Sequence, residues 1–92
     1  MLKIEYHKSF KKDYRKALKR GIDVNEVKKV INMLANEITL PAHYKDHALK
    51  GNYVGYRECH VYNDWLLIYR IEKNVLTLTL TYMGTHSDLF KK

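Results

Sequence analysis

Histidines at positions 7, 43, 47, 60 and 86 are the side chains of this 92-residue chain best suited to chemistry near neutral pH. An unperturbed imidazole titrates near ~6.5, so it can give or take a proton where few other groups can. His7 lies where an alternating segment meets a helical one and reads as a surface residue. The other four fall in the loop and strand half. His47 sits at the end of a long polar connection, His60 ends a strand-like segment beside Asn63-Asp64, and His86 follows the last alternating segment. In an antiparallel meander the end of one strand adjoins the start of the next. His60, Asp64, Trp65 and His86 are therefore expected at one end of a sheet, with the connection delivering His47.

Other chemistries fit less well. His43 and His47 have a four-residue spacing that would place two metal ligands on one helix face, but they follow Pro41 in an irregular stretch, where the spacing loses that meaning. No metal site is expected, and no cofactor. The single Cys excludes an intrachain disulfide. Cys59 precedes His60 on a strand, so the two point to opposite faces and Cys59 is expected in the core. Gly21, Gly51, Gly55 and Gly84 fit no phosphate-cradling loop. What remains is acid–base cleavage of a phosphodiester. That reaction needs a base for a 2′-hydroxyl, an acid for the departing 5′-oxygen and positive charge for the phosphorane. Several histidines and Arg57 can supply these.

Charge points the same way. Lys and Arg number 17 against 10 Asp and Glu, a formal net charge of +7, which favours polyanions. Between Lys8 and Arg20 stand Lys11, Lys12, Arg15, Lys16 and Lys19, with Asp13 the one acid. This run is read as a phosphate-facing, RNA-binding surface formed chiefly by Lys11, Lys12, Lys16 and Lys19. An exposed aromatic near His60 can stack on an unpaired base.

Composition sets the frame. With 46% hydrophobic and 12% aromatic residues the chain is too apolar for disorder, and its length suits one domain over residues 1–92. No apolar run approaches the ~20 residues of a membrane span, and Met1-Leu2-Lys3-Ile4-Glu5 opens no signal-like stretch. No membrane association and a cytoplasmic location are expected.

The elements follow from periodicity. Leu2, Ile4 and Tyr6 alternate with Lys3 and Glu5, a short strand. Phe10, Tyr14, Ala17 and Leu18 mark a helix with a cationic outer face, with Ser9 as the expected N-cap and Gly21 as its end. Asp23 and Glu26 open a second helix with the stripe Val27, Val30, Ile31, Leu34 and Ile38, stopped by Pro41. Residues 39–52 form a polar connection. Three strands follow: Tyr53 to Val61, Trp65 to Ile71, and Val75 to Met83, the last with Leu76, Leu78, Leu80 and Tyr82 opposite Thr77, Thr79 and Thr81. The expected fold is α+β, in the order β-α-α-β-β-β, with two helices on one face of a mainly antiparallel sheet and the other face left for solvent or a ligand.

Four blocks carry a resemblance to a known family. They are Tyr44-Lys45-Asp46-His47-Ala48-Leu49-Lys50-Gly51, Gly55-Tyr56-Arg57-Glu58-Cys59-His60-Val61, Asp64-Trp65-Leu66-Leu67-Ile68-Tyr69 and Gly84-Thr85-His86-Ser87-Asp88-Leu89-Phe90. In order and spacing they resemble the YafQ branch of the RelE/ParE toxin superfamily, and the resemblance runs over essentially the whole chain. It implies a RelE-like fold and a type II toxin that cleaves messenger RNA on the ribosome. It implies metal-independent attack of the 2′-oxygen, leaving a 2′,3′-cyclic phosphate. His47, His60, Asp64 and His86 match the family's functional set; Trp65 and Phe90 match aromatic positions near its site. It also implies an antitoxin that blocks the site and, as a toxin–antitoxin complex, binds operator DNA to repress the shared operon. The chain departs from the family at Tyr82, where relatives often carry Arg, and at Glu58, where they have Asp.

Within this set His86 is the expected general acid, because Gly84 beneath it allows close backbone approach to a phosphate. His47 or His60 is then the base, with Asp64 orienting a neighbouring imidazole. A second reading keeps the fold without the chemistry, as a gyrase poison or a ribosome-binding protein. The histidine set discriminates, since a plain binder has no need of it.

Overall fold

Alternation along the last strands divides the sheet into two unlike faces, and that division positions everything else. In a computed structural model, which describes residues 1–90 and only the backbone of Phe90, the strands are β1 (Lys3–Tyr6), β2 (His47–Ala48), β3 (Arg57–Tyr62), β4 (Trp65–Glu72) and β5 (Thr77–Thr85). The helices are α1 (Lys8–Lys19), α2 (Val24–Ala35) and α3 (His86–Phe90). The strand order is β1-β5-β4-β3-β2. β1 lies parallel to β5, and the other neighbours are antiparallel. The parallel pair is possible because α1 and α2 supply the crossover that two parallel strands require. The expected α+β architecture is present, with β2 and α3 as additions to it.

α1 and α2 cover one face. Phe10 and Ala17 of α1 and Val27, Val30 and Leu34 of α2 pack against Cys59, Val61, Leu67, Tyr69, Leu78, Leu80 and Met83 of the sheet. The cationic residues of α1, including Lys11, Lys12, Lys16 and Lys19, are exposed. Lys16 and Lys19 also occupy the last turn, where the helix dipole favours positive charge.

The local structure corrects several expectations. His7, not Ser9, caps α1: its Nδ1 accepts from the Ser9 backbone N–H at 3.2 Å. The Ser9 hydroxyl is directed instead to the Thr81 carbonyl, at 2.6 Å, which ties the helix start to β5. α2 begins as expected, with Asp23 accepting from Asn25 N–H at 3.0 Å. It ends at Ala35, well before Pro41, because Asn36 turns back to the Asn32 carbonyl and Glu37 takes a positive φ of 57°. Ile38 is consequently outside the helix and half-exposed. The segment before Arg57 is a 3₁₀ turn over Gly51–Tyr53 rather than strand. Val75 and Leu76 are exposed, in and just after the 3₁₀ turn Lys73–Val75.

The most consequential correction is in β5. Its register against β4 shifts between Ile68↔Tyr82 and Tyr69↔Leu80. The extra residue reverses the alternation. Leu78 and Leu80 face the helices, but beyond the bulge it is Met83 that joins them, so Tyr82 turns to the other face. That second face is not bare. Leu66 and Ile68 are fully buried there, and Tyr53 meets Tyr82 edge-on at 6.4 Å.

Candidate active site

The second face carries the chemistry. β3 and β4 pair Glu58 with Ile68 and His60 with Leu66; β4 and β5 pair Ile68 with Tyr82 and Leu66 with Gly84. Residues directly opposite one another share a face, so Glu58, His60, Tyr82 and Gly84 stand on the side away from α1 and α2. β2 adds His47 directly opposite Glu58. The end of β5 delivers His86, whose ring lies 5.9 Å from that of His60 between centroids. His47, His60 and His86 are thus brought to one region of one face.

Glu58 is their common neighbour. It is buried in a strand interior, 4% exposed. His47 Nε2 stands 3.3 Å from Glu58 Oε1, and His47 Nδ1 stands 2.7 Å from the Lys45 carbonyl oxygen. A carbonyl can only accept, so Nδ1 carries a hydrogen and donates it. The contact between Nε2 and Oε1 is an ion pair when Nε2 carries a proton as well. On its other side Glu58 joins His60 and His86: one ligand-type atom from each of the three lies within 4.8 Å of the others. Glu58 Oε2 has no hydrogen-bond partner among the described residues. A buried acceptor left unpaired costs about 1–3 kcal/mol, and it is satisfied when a proton, a hydroxyl or a cation reaches it. The carboxylate and two imidazoles are also a donor set suited to a transition metal. His43 is not in it: it is exposed, its ring tilted against that of Tyr44, and it borders a cleft of about 330 Å³ shared with Lys45, Tyr62 and His60.

Glu58 was not among the site residues expected from sequence. The signal was the strand period, which puts position 58 on the face of His60, and an acid at a position that proves buried.

The remaining expected residues are placed as follows. Asp64 is exposed in the β3–β4 turn, beside Asn63, and is not a member of the Glu58 cluster. Trp65 reaches the same end of the sheet but packs toward the helix-side core, and the Arg20 guanidinium covers its ring at 4.7 Å. Arg57 pairs with Tyr69 in register and shares its face, away from the histidines. Its Nε donates to Asp46 Oδ1 at 3.2 Å, and Tyr69 OH donates to the same oxygen at 2.5 Å. The Asp46 carboxylate holds the Arg57 charge on still more firmly, and burial with the same neighbour pushes the Tyr69 hydroxyl up. Arg57 therefore anchors the segment just before His47 rather than joining the cluster. The Phe90 side chain lies outside the described residues. Cys59 is fully buried among apolar groups, which pushes its thiol up to about 12.

Nearly the whole chain is similar to known proteins. Residues 2–91 match the family model described as the bacterial toxin of a type II toxin–antitoxin system, YafQ. The chain is 44% identical to the mRNA interferase toxin YafQ of Escherichia coli K12 over 88 residues, covering 95% of this chain and 94% of that one. Among solved structures it resembles a metal-bound toxin from Helicobacter pylori, with 47% identity and a TM-score of 0.91, covering 98% of this chain and all of that one. It also resembles the toxin fold in the E. coli DinJ–YafQ complex, with 42% identity and a TM-score of 0.88, covering 98% and 99% of the two chains. With the family model matched over nearly the whole chain and these likenesses beside it, the chain belongs to the YafQ family of bacterial toxins of type II toxin–antitoxin systems.

Proposed function

We propose that this toxin is an endoribonuclease, an mRNA interferase that cuts messenger RNA on the ribosome in the cytoplasm. The observation that carries the reading is Glu58, buried between His47 and the His60–His86 pair with one oxygen unpartnered. That is a proton-handling centre on a sheet face, in a chain of net charge +7.

The geometry suits a 2′-hydroxyl attack. The pair His47–Glu58, in the state where Glu58 is a carboxylate and His47 is neutral, can take the 2′-hydroxyl proton. The 2′-oxygen then bonds to phosphorus, and the bond from phosphorus to the 5′-oxygen breaks. His86, protonated, delivers its proton to that oxygen, giving a 5′-hydroxyl and a 2′,3′-cyclic phosphate. His60, between them, and a protonated imidazole supply positive charge to the phosphorane. Lys45 and Lys50, exposed in the segment around His47, can add to it, since Arg57 is committed to Asp46. Asp64, exposed in the turn at this end of the sheet, contacts RNA there, and the lysines of α1 hold ribosomal RNA phosphates. The E. coli relative is solved with an antitoxin, DinJ; here a cognate antitoxin of acidic character fits the basic surface and, together with the toxin, represses their operon by binding operator DNA.

Primer extension on messenger RNA from cells induced to express the chain tests this reading. New 5′ ends within coding sequence are expected with the wild-type chain and not with His86→Gln. Growth arrest without new ends would refute it.

A further inference from the structure

We infer that Arg20 is a positioning residue for His86, acting through Asp88 and Trp65; this rests on the cleavage reading above. The reason begins with α3. It has five residues, too few to hold itself by its own hydrogen bonds. Its start is fixed by a reciprocal pair: the Thr85 backbone N–H donates to Asp88 Oδ2 at 3.0 Å, and the Asp88 backbone N–H donates to Thr85 Oγ1 at 3.3 Å. This is a capping box with Thr85 at the cap and Asp88 three residues on. His86 is the first residue inside it. Whatever sets the box sets where the His86 ring stands relative to His60.

Arg20 grips that box from outside. Its Nη1 donates to the same Asp88 Oδ2 at 2.8 Å, a charge-assisted bond. The same guanidinium lies 4.7 Å over the Trp65 ring, and Trp65 is the β4 residue paired with Thr85. One planar group therefore holds both the carboxylate of the box and the strand neighbour of its cap. Its own base is firm: the Arg20 backbone N–H donates to the Lys16 and Ala17 carbonyls at the end of α1, and Ala17 is fully buried. The strand end is also close-fitting. A Cβ on Gly84 would stand 2.9 Å from the Asp88 Cβ, so the glycine is what lets α3 fold back there. Thr85 and Arg20 together hold the Asp88 carboxyl below its usual range, which keeps it ionised and gripping at neutral pH. A guanidinium in a basic run looks like a phosphate contact; here it is already engaged by protein on two sides.

The experiment compares Arg20→Gln, Arg20→Lys, Asp88→Asn and the Arg20→Gln/Asp88→Asn double variant. Single-turnover cleavage is measured on ribosome-bound message at saturation and as a function of salt. Amide exchange of α3 and the His60–His86 ring contact are followed by NMR in the free toxin. A misplacement of ~1 Å in a reacting group can cost ~10²-fold. Arg20→Gln is expected to lower the saturated rate by roughly tenfold or more. Half-saturation and the salt slope should be unchanged, α3 amides should lose protection, and the thermal midpoint should stay close to wild type. Asp88→Asn should match it, the double variant should be no worse than either single, and Arg20→Lys should recover part of the rate. A wild-type saturated rate with a raised half-saturation and a flatter salt slope would overturn the inference, making Arg20 a phosphate contact. So would unchanged α3 exchange and ring contact, whatever the rate. The NMR arm stands without activity, so failure of the wild-type toxin to cleave RNA would count against the functional reading alone.

Discussion

The His47 Nε2 atom stands 3.3 Å from the Oε1 atom of buried Glu58, while His47 Nδ1 is spent on the Lys45 carbonyl. A proton on Nε2 would make the two an ion pair, and without it the Glu58 carboxylate stands beside a neutral imidazole and can accept a proton through it. Two further imidazoles lie on the far side of the same carboxylate.

Glu58→Gln removes the acid from this pair while keeping its shape. Cleavage at saturation is expected to fall by about 10²–10⁴-fold, the usual contribution of an acid–base group. Stability should hold or rise, since the substitution replaces a buried carboxylate whose Oε2 lacks a partner among the described residues. Single-turnover kinetics beside a thermal melt check both. A wild-type rate would remove Glu58 from the chemistry.

Lys11, Lys12, Lys16 and Lys19 are exposed on α1. Replacing all four with Ala is expected to weaken ribosome binding and flatten its dependence on salt. Each lost phosphate contact removes roughly 0.7–0.9 from the log–log slope. Binding titrations across a range of salt concentrations read this directly; an unchanged slope would make the run a solubility device.

Glu58, His60 and His86, the groups that would handle protons, are also a set that could hold a metal. A metal on their lone pairs blocks proton transfer. Cleavage is therefore expected to persist in EDTA, under conditions that keep ribosomes intact, and to be inhibited by added copper or zinc. Loss of activity in EDTA with recovery on adding zinc would show the opposite role.

Much of this was legible in the sequence, and the parts that were not share a cause. The apolar stripes of α1 and α2 and the run Trp65–Ile71 identify the layers, because burial of one helix face or of a central strand leaves a periodic trace. His60 and His86 converge as the meander requires. The bulge in β5 leaves no trace in composition. It moves Tyr82 off the face its period of two assigns and sets it, with Gly84, beside the histidines. Trp65 reaches the sheet end that the meander assigns it, and Arg57 offers the expected positive charge, but strand alternation sends both side chains to the helix side, where Arg20 and Asp46 hold them. The cap of α1 turned on Ser9 preferring the Thr81 carbonyl, a contact across 72 positions of sequence that no local rule anticipates.

The most direct test of the account is the leaving-group dependence of His86→Gln. Wild type and variant are compared in single-turnover cleavage of two ribosome-bound substrates, one with the ordinary 5′-oxygen and one with sulfur bridging at that position. The variant is expected to be slower by about 10²–10⁴-fold on the ordinary substrate. On the sulfur substrate it should run close to wild type, because a departing thiolate needs no proton. Wild-type rates on both substrates, or an equal loss on both, would contradict the assignment of His86 as the general acid of a histidine-based RNA cleavage site.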